Sequence, residues 1–421
     1  MKKLLYLSLL AVLILQCSED ETPNPGPDPD PDPVNTATYL LSLDENFLDE
    51  VASGTLYISN SQGEIIGQAP LANSQQASVE IDFDPNEEYD ATVYVELNNT
   101  TINLYQLFTY INVPPGSYTA PGLINSGVNI PTITINVTNI GGSLTVLNSS
   151  TSTNVSINGA GDYVITGNML TAPGDYYVSV QKSGEQFPRY IWIENVPGNS
   201  TVDVDFNSLP LLDNTTDVAV PANTSSSFSV YGILNDDLSG VNQILHCVQK
   251  DANNNGTASS YEAYLPQNVF DKYRYDIGYG LSNDGVAYRY STISAATPSS
   301  IPSVNLGFTL NNGSISNFSM ATQGNYDHFQ VRFDFQNIPQ GVVVFHTFYG
   351  AASQNINFSK ANLFDNIFAN QSNISSGMFG SSLTYSLKNY SQFNGYSAFI
   401  QAPWVYGPVL SDNEFVESID Q

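Results

Sequence analysis

The feature that most constrains this chain is a strict two-residue alternation of apolar and polar side chains. Val79, Ile81 and Phe83 alternate with Glu80 and Asp82, and Val93, Val95 and Leu97 with Tyr94 and Glu96. Further on, Ile133, Ile135 and Val137 alternate with Thr132, Thr134 and Asn136, and Val202, Val204 and Phe206 with Asp203 and Asp205. Successive side chains on a strand point to opposite faces, so each run predicts a strand with one buried and one wet face. Clusters of Asn, Gly, Pro and Ser separate the runs at short intervals, as turns require. The expected fold is therefore all-β, built from antiparallel sandwiches. Only one segment reads as helix: Leu363, Phe364, Ile367 and Phe368 share a face between Lys360 and Asn370.

An internal repeat lies within the alternating region. Gly54-Thr-Leu-Tyr-Ile-Ser-Asn-Ser61 matches Gly142-Ser-Leu-Thr-Val-Leu-Asn-Ser149, 88 residues later. Asn112-Val-Pro114 recurs as Asn195-Val-Pro197, 83 residues later, each time after an aromatic run. Two landmarks in the same order predict a duplicated sandwich, over residues 36–130 and 131–215, of a length that suits seven strands. Pro114-Pro-Gly-Ser-Tyr118 and Pro173-Gly-Asp-Tyr176 resemble the Pro-Gly-x-Tyr strand start of transthyretin-like and carboxypeptidase-regulatory-like modules. That resemblance implies Ig-like or transthyretin-like spacers and no activity. Residues 216–421 carry longer, more aromatic strands and are expected to form one larger jelly-roll-like sandwich or two smaller domains.

The N-terminal stretch gives an address. Met1-Lys-Lys3 is a basic start and Leu4 to Leu15 an apolar run too short to span a bilayer comfortably. Ile14-Leu-Gln-Cys17 resembles a bacterial lipobox, with Gln16 in place of the usual small residue. The resemblance implies a cleaved signal over residues 1–16 and lipidation of Cys17. Ser18-Glu-Asp-Glu21 resembles the export signal of Bacteroidota-type surface lipoproteins, which implies the outer membrane, facing outward. Residues 17–35 then form a tether, in which the Pro-Asp alternation from residue 22 favours an extended chain and reaches roughly 35–40 Å at about 3.1 Å per residue.

Composition narrows the partners. The formal charge is −29, with 40 acidic residues. Such a chain repels nucleic acid and anionic membrane surfaces, so neither is expected as a partner beyond the lipid anchor itself. Neutral glycans remain open. With Cys17 lipidated, Cys247 stands alone and no internal disulfide is expected.

Two constellations carry candidate chemistry. Asp251, Asn253, Asn255, Gly256, Thr257, Ser259 and Glu262 fit the spacing of a calcium loop, with hard oxygen donors and a closing carboxylate. The segment resembles EF-hand and dockerin-type loops; Asn255-Gly256 equally suits a polar hairpin. The second constellation is aromatic. Tyr273, Tyr275 and Tyr279 share one face of a strand, Tyr288 and Tyr290 suit its neighbour, and Trp404 and Tyr406 lie near the C-terminus. Exposed, such rings would make a sugar-binding platform; otherwise they are core. Among the hydrolase and nucleotide-binding motifs sought, none occurs, and His246, His328 and His346 lack metal-ligand spacing.

Anchor, tandem modules and terminal domain together resemble the surface glycan-binding lipoproteins that accompany outer-membrane importers. The resemblance implies a non-catalytic protein that binds an extracellular glycan through residues 216–421. The alternatives are an adhesive surface protein with protein partners and a glycosidase acting through paired carboxylates.

Overall fold

The computed structural model describes residues 35–48, 52–98, 102–121, 131–149, 153–169, 173–233, 244–250, 257–281, 286–380, 382–404 and 413–420. The chain is all-β with sandwich packing. Cys17, Asp251, Asn253, Asn255 and Tyr406 lie outside the described residues.

The first sandwich contains β1 (Thr36–Leu43), β2 (Ala52–Asn60), β3 (Ile65–Pro70), β4 (Gln76–Asp82), β5 (Tyr89–Asn98), β6 (Asn103–Tyr110) and β7 (Gly116–Ala120). One sheet has the order β4-β1-β7 and the other β3-β2-β5-β6. Alternation places the chain as expected: β4 buries Ala77, Val79 and Ile81 and exposes Gln76, Ser78, Glu80 and Asp82. Those residues meet Leu41, Leu56, Ile58 and Val93 in the core.

The second sandwich follows with β8 (Thr132–Thr138), β9 (Leu144–Ser149), β10 (Thr153–Ile157), β11 (Tyr163–Asn168), β12 (Gly174–Lys182), β13 (Arg189–Val196) and β14 (Ser200–Asp205). Its sheets have the orders β10-β11-β8-β14 and β13-β12-β9. The strand plan repeats that of the first unit, including the parallel pairing of first and seventh strands. The third strand alone changes sheets.

A turn accounts for the change. In Asn60-Ser-Gln-Gly-Glu64 the Asn60 carboxamide oxygen accepts the Gln62 and Glu64 backbone N–H groups, and Gly63 supplies a positive φ of 79°. Asn158-Gly-Ala-Gly-Asp162 repeats this: Asn158 accepts from Ala160 and Asp162, and Gly161 has φ 88°. The tight turn joins β2 to β3 in the first unit and β10 to β11 in the second. The third strand hydrogen-bonds to whichever neighbour the turn ties it to.

The remaining elements are β15 (Thr215–Ala219), β16 (Ser225–Ile233), β17 (Ile244–Lys250), β18 (Ser260–Tyr264), β19 (Lys272–Gly280), β20 (Ala287–Ser294), β21 (Gly307–Asn312), β22 (Phe318–Gln323), β23 (His328–Asn337), β24 (Val342–Ala351), β25 (Asn355–Phe358), β26 (Leu383–Tyr390) and β27 (Asn413–Asp420). Two short helices accompany them, α1 (Ala361–Ile367) in the segment expected to be helical and α2 (Tyr396–Phe399). Ten of these strands form one sheet, β15-β18-β17-β16-β19-β20-β27-β26-β23-β24, and β21-β22-β25 form a second. The small sheet and α1 cover β23 and β24, burying Phe318, Met320, Phe333, Phe348 and Phe364 together.

The C-terminal region is not a free-standing unit at the end of two spacers. β24 pairs in parallel with β6, from Val342 opposite Asn103 to Tyr349 opposite Tyr110, so the large sheet runs on through the first sandwich as fourteen strands. Trp404 is buried in the first sandwich's core, stacked on Tyr110 at 4.3 Å and Tyr118 at 4.4 Å, with its indole N–H donated to the Ile400 carbonyl. The second sandwich is covered as well. Neighbouring Tyr176 and Tyr177 are both fully buried, which a strand allows only when both faces are packed. Tyr176 faces its own core, while Tyr177 and Trp192 meet Phe270 of the C-terminal region.

Because Trp404 closes the first sandwich from outside it, Trp404→Ala should destabilise the chain by about 3–5 kcal/mol. A urea midpoint followed by far-UV circular dichroism measures this. An unchanged midpoint would mean that the C-terminal segment does not close that core.

Candidate functional site

A cleft of about 320 Å³ opens between the start of β20 and the β21–β22 hairpin. It is lined by Val286, Tyr288, Leu306, Gly307, Phe308, Thr309, Ala321, Thr322 and Gln323. Two elements fix its shape. Tyr279 of β19 stacks on Tyr288 of β20 at 5.3 Å, and the Tyr279 hydroxyl accepts the Val304 backbone N–H at 2.8 Å. That bond holds the segment leading into β21, which buries Ile301 and Leu306. On the hairpin, Gly307 faces Gln323 in register. A Cβ at Gly307 would lie 2.6 Å from the Gln323 amide nitrogen, so the glycine makes room for that side chain.

The lining has a consistent chemistry. Tyr288 and Phe308 supply aromatic surface, Leu306 and Val286 aliphatic surface, and Thr309 and Gln323 stand exposed at the rim. The Thr322 hydroxyl donates to the Ser353 carbonyl and so is engaged with backbone. Among the described residues no carboxylate, imidazole, amine or guanidinium lines the cleft. Its volume is that of a small-molecule pocket, and its mixture of apolar floor and neutral polar rim suits a ligand with C–H faces and hydroxyls.

The expected aromatic platform is not an exposed surface. Tyr273, Tyr275, Tyr279, Tyr288, Tyr290 and Trp404 are all buried, none more than 9% exposed. The tyrosine faces pack inward against Phe228, Tyr261 and Phe270. Their hydroxyls make that possible by reaching the core's margin: Tyr273 donates to the Pro266 carbonyl and Tyr275 to the Thr297 hydroxyl. Of the expected set, among the described residues only Tyr288, backed by Tyr279, reaches the cleft. The opposite face of β19 and β20 carries Arg274 and Arg289, both bonded to Asp276.

The segment expected to hold calcium lies between β17 and β18, which pair antiparallel, so strands stand where an EF-hand has helices. Glu262 lies within β18, opposite Lys250 on one side and Asp217 on the other, and accepts the Tyr264 hydroxyl at 2.7 Å. Among the described residues no group of three or more His, Cys, Asp or Glu is placed to hold a metal ion.

Sequence reading missed a buried polar seam where β5, β6 and β24 meet. His346 Nε2 is 2.8 Å from the Thr109 hydroxyl, which is 2.9 Å from the Thr92 hydroxyl. Nearby, Lys360 pairs with Asp90. The available signal was polar residues standing at inward positions of otherwise apolar runs. Burial pushes His346 down to about 3, and burial with the Lys388 charge pushes His328 well down. His328 is stacked on Phe399 at 3.7 Å. Both imidazoles are thus neutral in the folded chain at neutral pH.

Neither the family nor a relative is given by comparison: no protein-family model matches the sequence, and no curated protein does. Among solved structures, an endo-fucoidan hydrolase of glycoside hydrolase family 107 superposes with a TM-score of 0.12 at 8% identity in a variant form, over 65% of this chain and 42% of its own. Its parent form gives 0.12 at 9% identity, over 76% and 42%. The eight N-terminal Ig domains of Down Syndrome Cell Adhesion Molecule give 0.15 at 8% identity, over 84% and 55%. The chain thus spans about two fifths of the length of the fucoidan hydrolases. Superpositions this loose carry no argument about fold or activity.

The neutral histidines set a pH dependence. A folded-state pKa below the ordinary value stabilises above about pH 6.5, and that stability drains away as pH falls toward the folded value. Each histidine should cost about 1.4 kcal/mol per pH unit in that window. His346→Gln should remove roughly half of the slope between pH 6.5 and 4.5, read from urea midpoints, before carboxylate titration dominates.

Proposed function

We propose that this chain is a non-catalytic cell-surface lipoprotein that binds an uncharged extracellular glycan in the cleft between β20 and the β21–β22 hairpin. The lining of that cleft carries the reading. Phe308 and Tyr288 offer ring surface to the C–H face of a sugar, while Gln323 and Thr309 offer amide and hydroxyl groups to its hydroxyls. A net charge of −29, with no basic side chain among the described residues of the cleft, disfavours sulfated or uronic-acid polymers. Lipid on Cys17 and the Pro-Asp tether would hold the folded part away from an outer membrane. Calcium at the 251–262 segment belongs to the same proposal, with Asp251, Asn253, Asn255, Thr257, Ser259 and Glu262 as its ligands.

One observation favours a second reading, adhesion to a protein partner by strand addition. β10 is an edge strand, and its Val155 and Ile157 are 43% and 60% exposed, without the charge or proline that usually protects an edge. Val155 pairs with the buried Ile165 and Ile157 with Tyr163, so both lie on the core side of the four-stranded sheet and yet stand exposed.

Affinity electrophoresis through gels cast with neutral and anionic polysaccharides, with calcium and with chelator, tests both readings. Retardation by a neutral glycan is expected. Gln323→Ala and Phe308→Ala should each weaken it about 2- to 10-fold, the worth of one hydrogen bond or ring contact. Uniform mobility across the panel would sink the glycan reading and leave the β10 edge as the better candidate. Mobility insensitive to calcium would remove the 251–262 segment from the proposal.

A further inference from the structure

The buried Lys360–Asp90 pair has the arrangement of an amide-forming site. Lys360 Nζ lies 2.5 Å from Asp90 Oδ2, and the side chains are only 6% and 1% exposed. The second carboxyl oxygen, Oδ1, accepts the Asn112 backbone N–H at 3.2 Å. Asn112 has a φ of 56°, the left-handed turn that aims this N–H back at β5. One carboxyl oxygen therefore faces the amine and the other faces a fixed donor.

The second sandwich shows what such an aspartate does without a lysine. Asp175 occupies the same place before β12's buried run, and accepts the Asn195 N–H at 2.8 Å from a turn with φ 52°. Asp175 is exposed. Holding the turn thus needs no lysine and no burial. At Asp90 both have been added, by Lys360 arriving from 270 residues away at the start of α1.

We propose that Asp90 and Lys360 condense to an intramolecular amide that ties the first sandwich covalently to the C-terminal region. Burial raises the Asp90 carboxyl above its usual range despite the Lys360 charge, which favours passing a proton from the ammonium to the carboxylate. The neutral amine then attacks Cγ, and the carbonyl electrons move onto Oδ1, where the Asn112 N–H stabilises them. An amine proton passes to the Oδ2 hydroxyl, the Cγ–Oδ2 bond breaks, and one water leaves as the amide forms. The step needs no oxidant and no co-reactant. Proximity supplies the effective concentration, and exclusion of water favours the condensed product. This inference is independent of the glycan reading.

Mass spectrometry of the intact full-length chain tests it, with Lys360→Arg as the reference so that N-terminal processing cancels. The tie predicts a wild-type mass about 46 Da below that of the variant, against about 28 Da from the substitution alone. A digest should contain one branched peptide joining the segments around positions 90 and 360. Asp90→Asn provides a second route to the same product, with loss of about 17 Da as ammonia. It keeps the inference testable where Lys360→Arg fails to fold. A wild-type digest holding only the two separate, unmodified peptides would overturn the proposal.

Discussion

The parallel pairing of β6 with β24 is the contact on which the architecture depends. Parallel ladders are slightly weaker per residue than antiparallel ones and are rarely left open to water. Here the ladder is covered. Trp404, Tyr396 and Phe399 pack with Tyr110 and Tyr349 on one side, and α1 with the β21-β22-β25 sheet covers the other. The polar seam adds register to this apolar cover. Thr92, Thr109 and His346 bond one another only when the three strands are aligned as observed. A slip by one residue would put the histidine on the opposite face and leave the threonine hydroxyls buried without it.

This arrangement explains which parts of the fold were legible in the sequence. Strands appear where alternation predicts them, because alternation records only which face is wet: β4, β5 and β8 hold the runs around Val79, Val93 and Ile133, and β19 covers Tyr273 to Tyr279. The helix around Leu363 and Phe364 was legible for the same reason. Pairing between distant segments leaves no such trace. Nothing in Asn103–Tyr110 or Val342–Ala351 says that each is the other's neighbour, since an edge strand and a central strand buried on both faces carry similar apolar runs.

The candidate site divides along the same line. The tyrosines of β19 and β20 were correctly assigned to one face, but pattern alone does not say whether a sheet's second face meets water or another layer. Phe270, Tyr177 and Trp192 supply that layer, and none of them is near β19 in sequence except Phe270. At Tyr288 a ring of this buried face lines an opening. The rest of the cleft comes from a hairpin whose importance lies in what it lacks: Gly307 has no side chain, and the Gln323 amide fills the space it leaves.

The two sandwiches show how a shared plan comes to serve different ends. Each has an aspartate near the start of its fifth strand, holding an Asn-Val-Pro segment at the end of its sixth. In the first, the sixth strand's outer edge accepts β24, and the turn's aspartate is sealed against Lys360. In the second, the sixth strand ends its sheet, with an isolated bridge from Arg189 to Leu211 along it, and the turn's aspartate is exposed. The unit is joined to its neighbour through aromatic faces instead. Backbone pairing with a buried charge pair fixes register and direction, whereas stacked rings such as Trp192 on Phe270 tolerate sliding. The first sandwich is thereby committed to the C-terminal region's core by backbone pairing, and the second by the rings that Tyr177 and Trp192 set against Phe270.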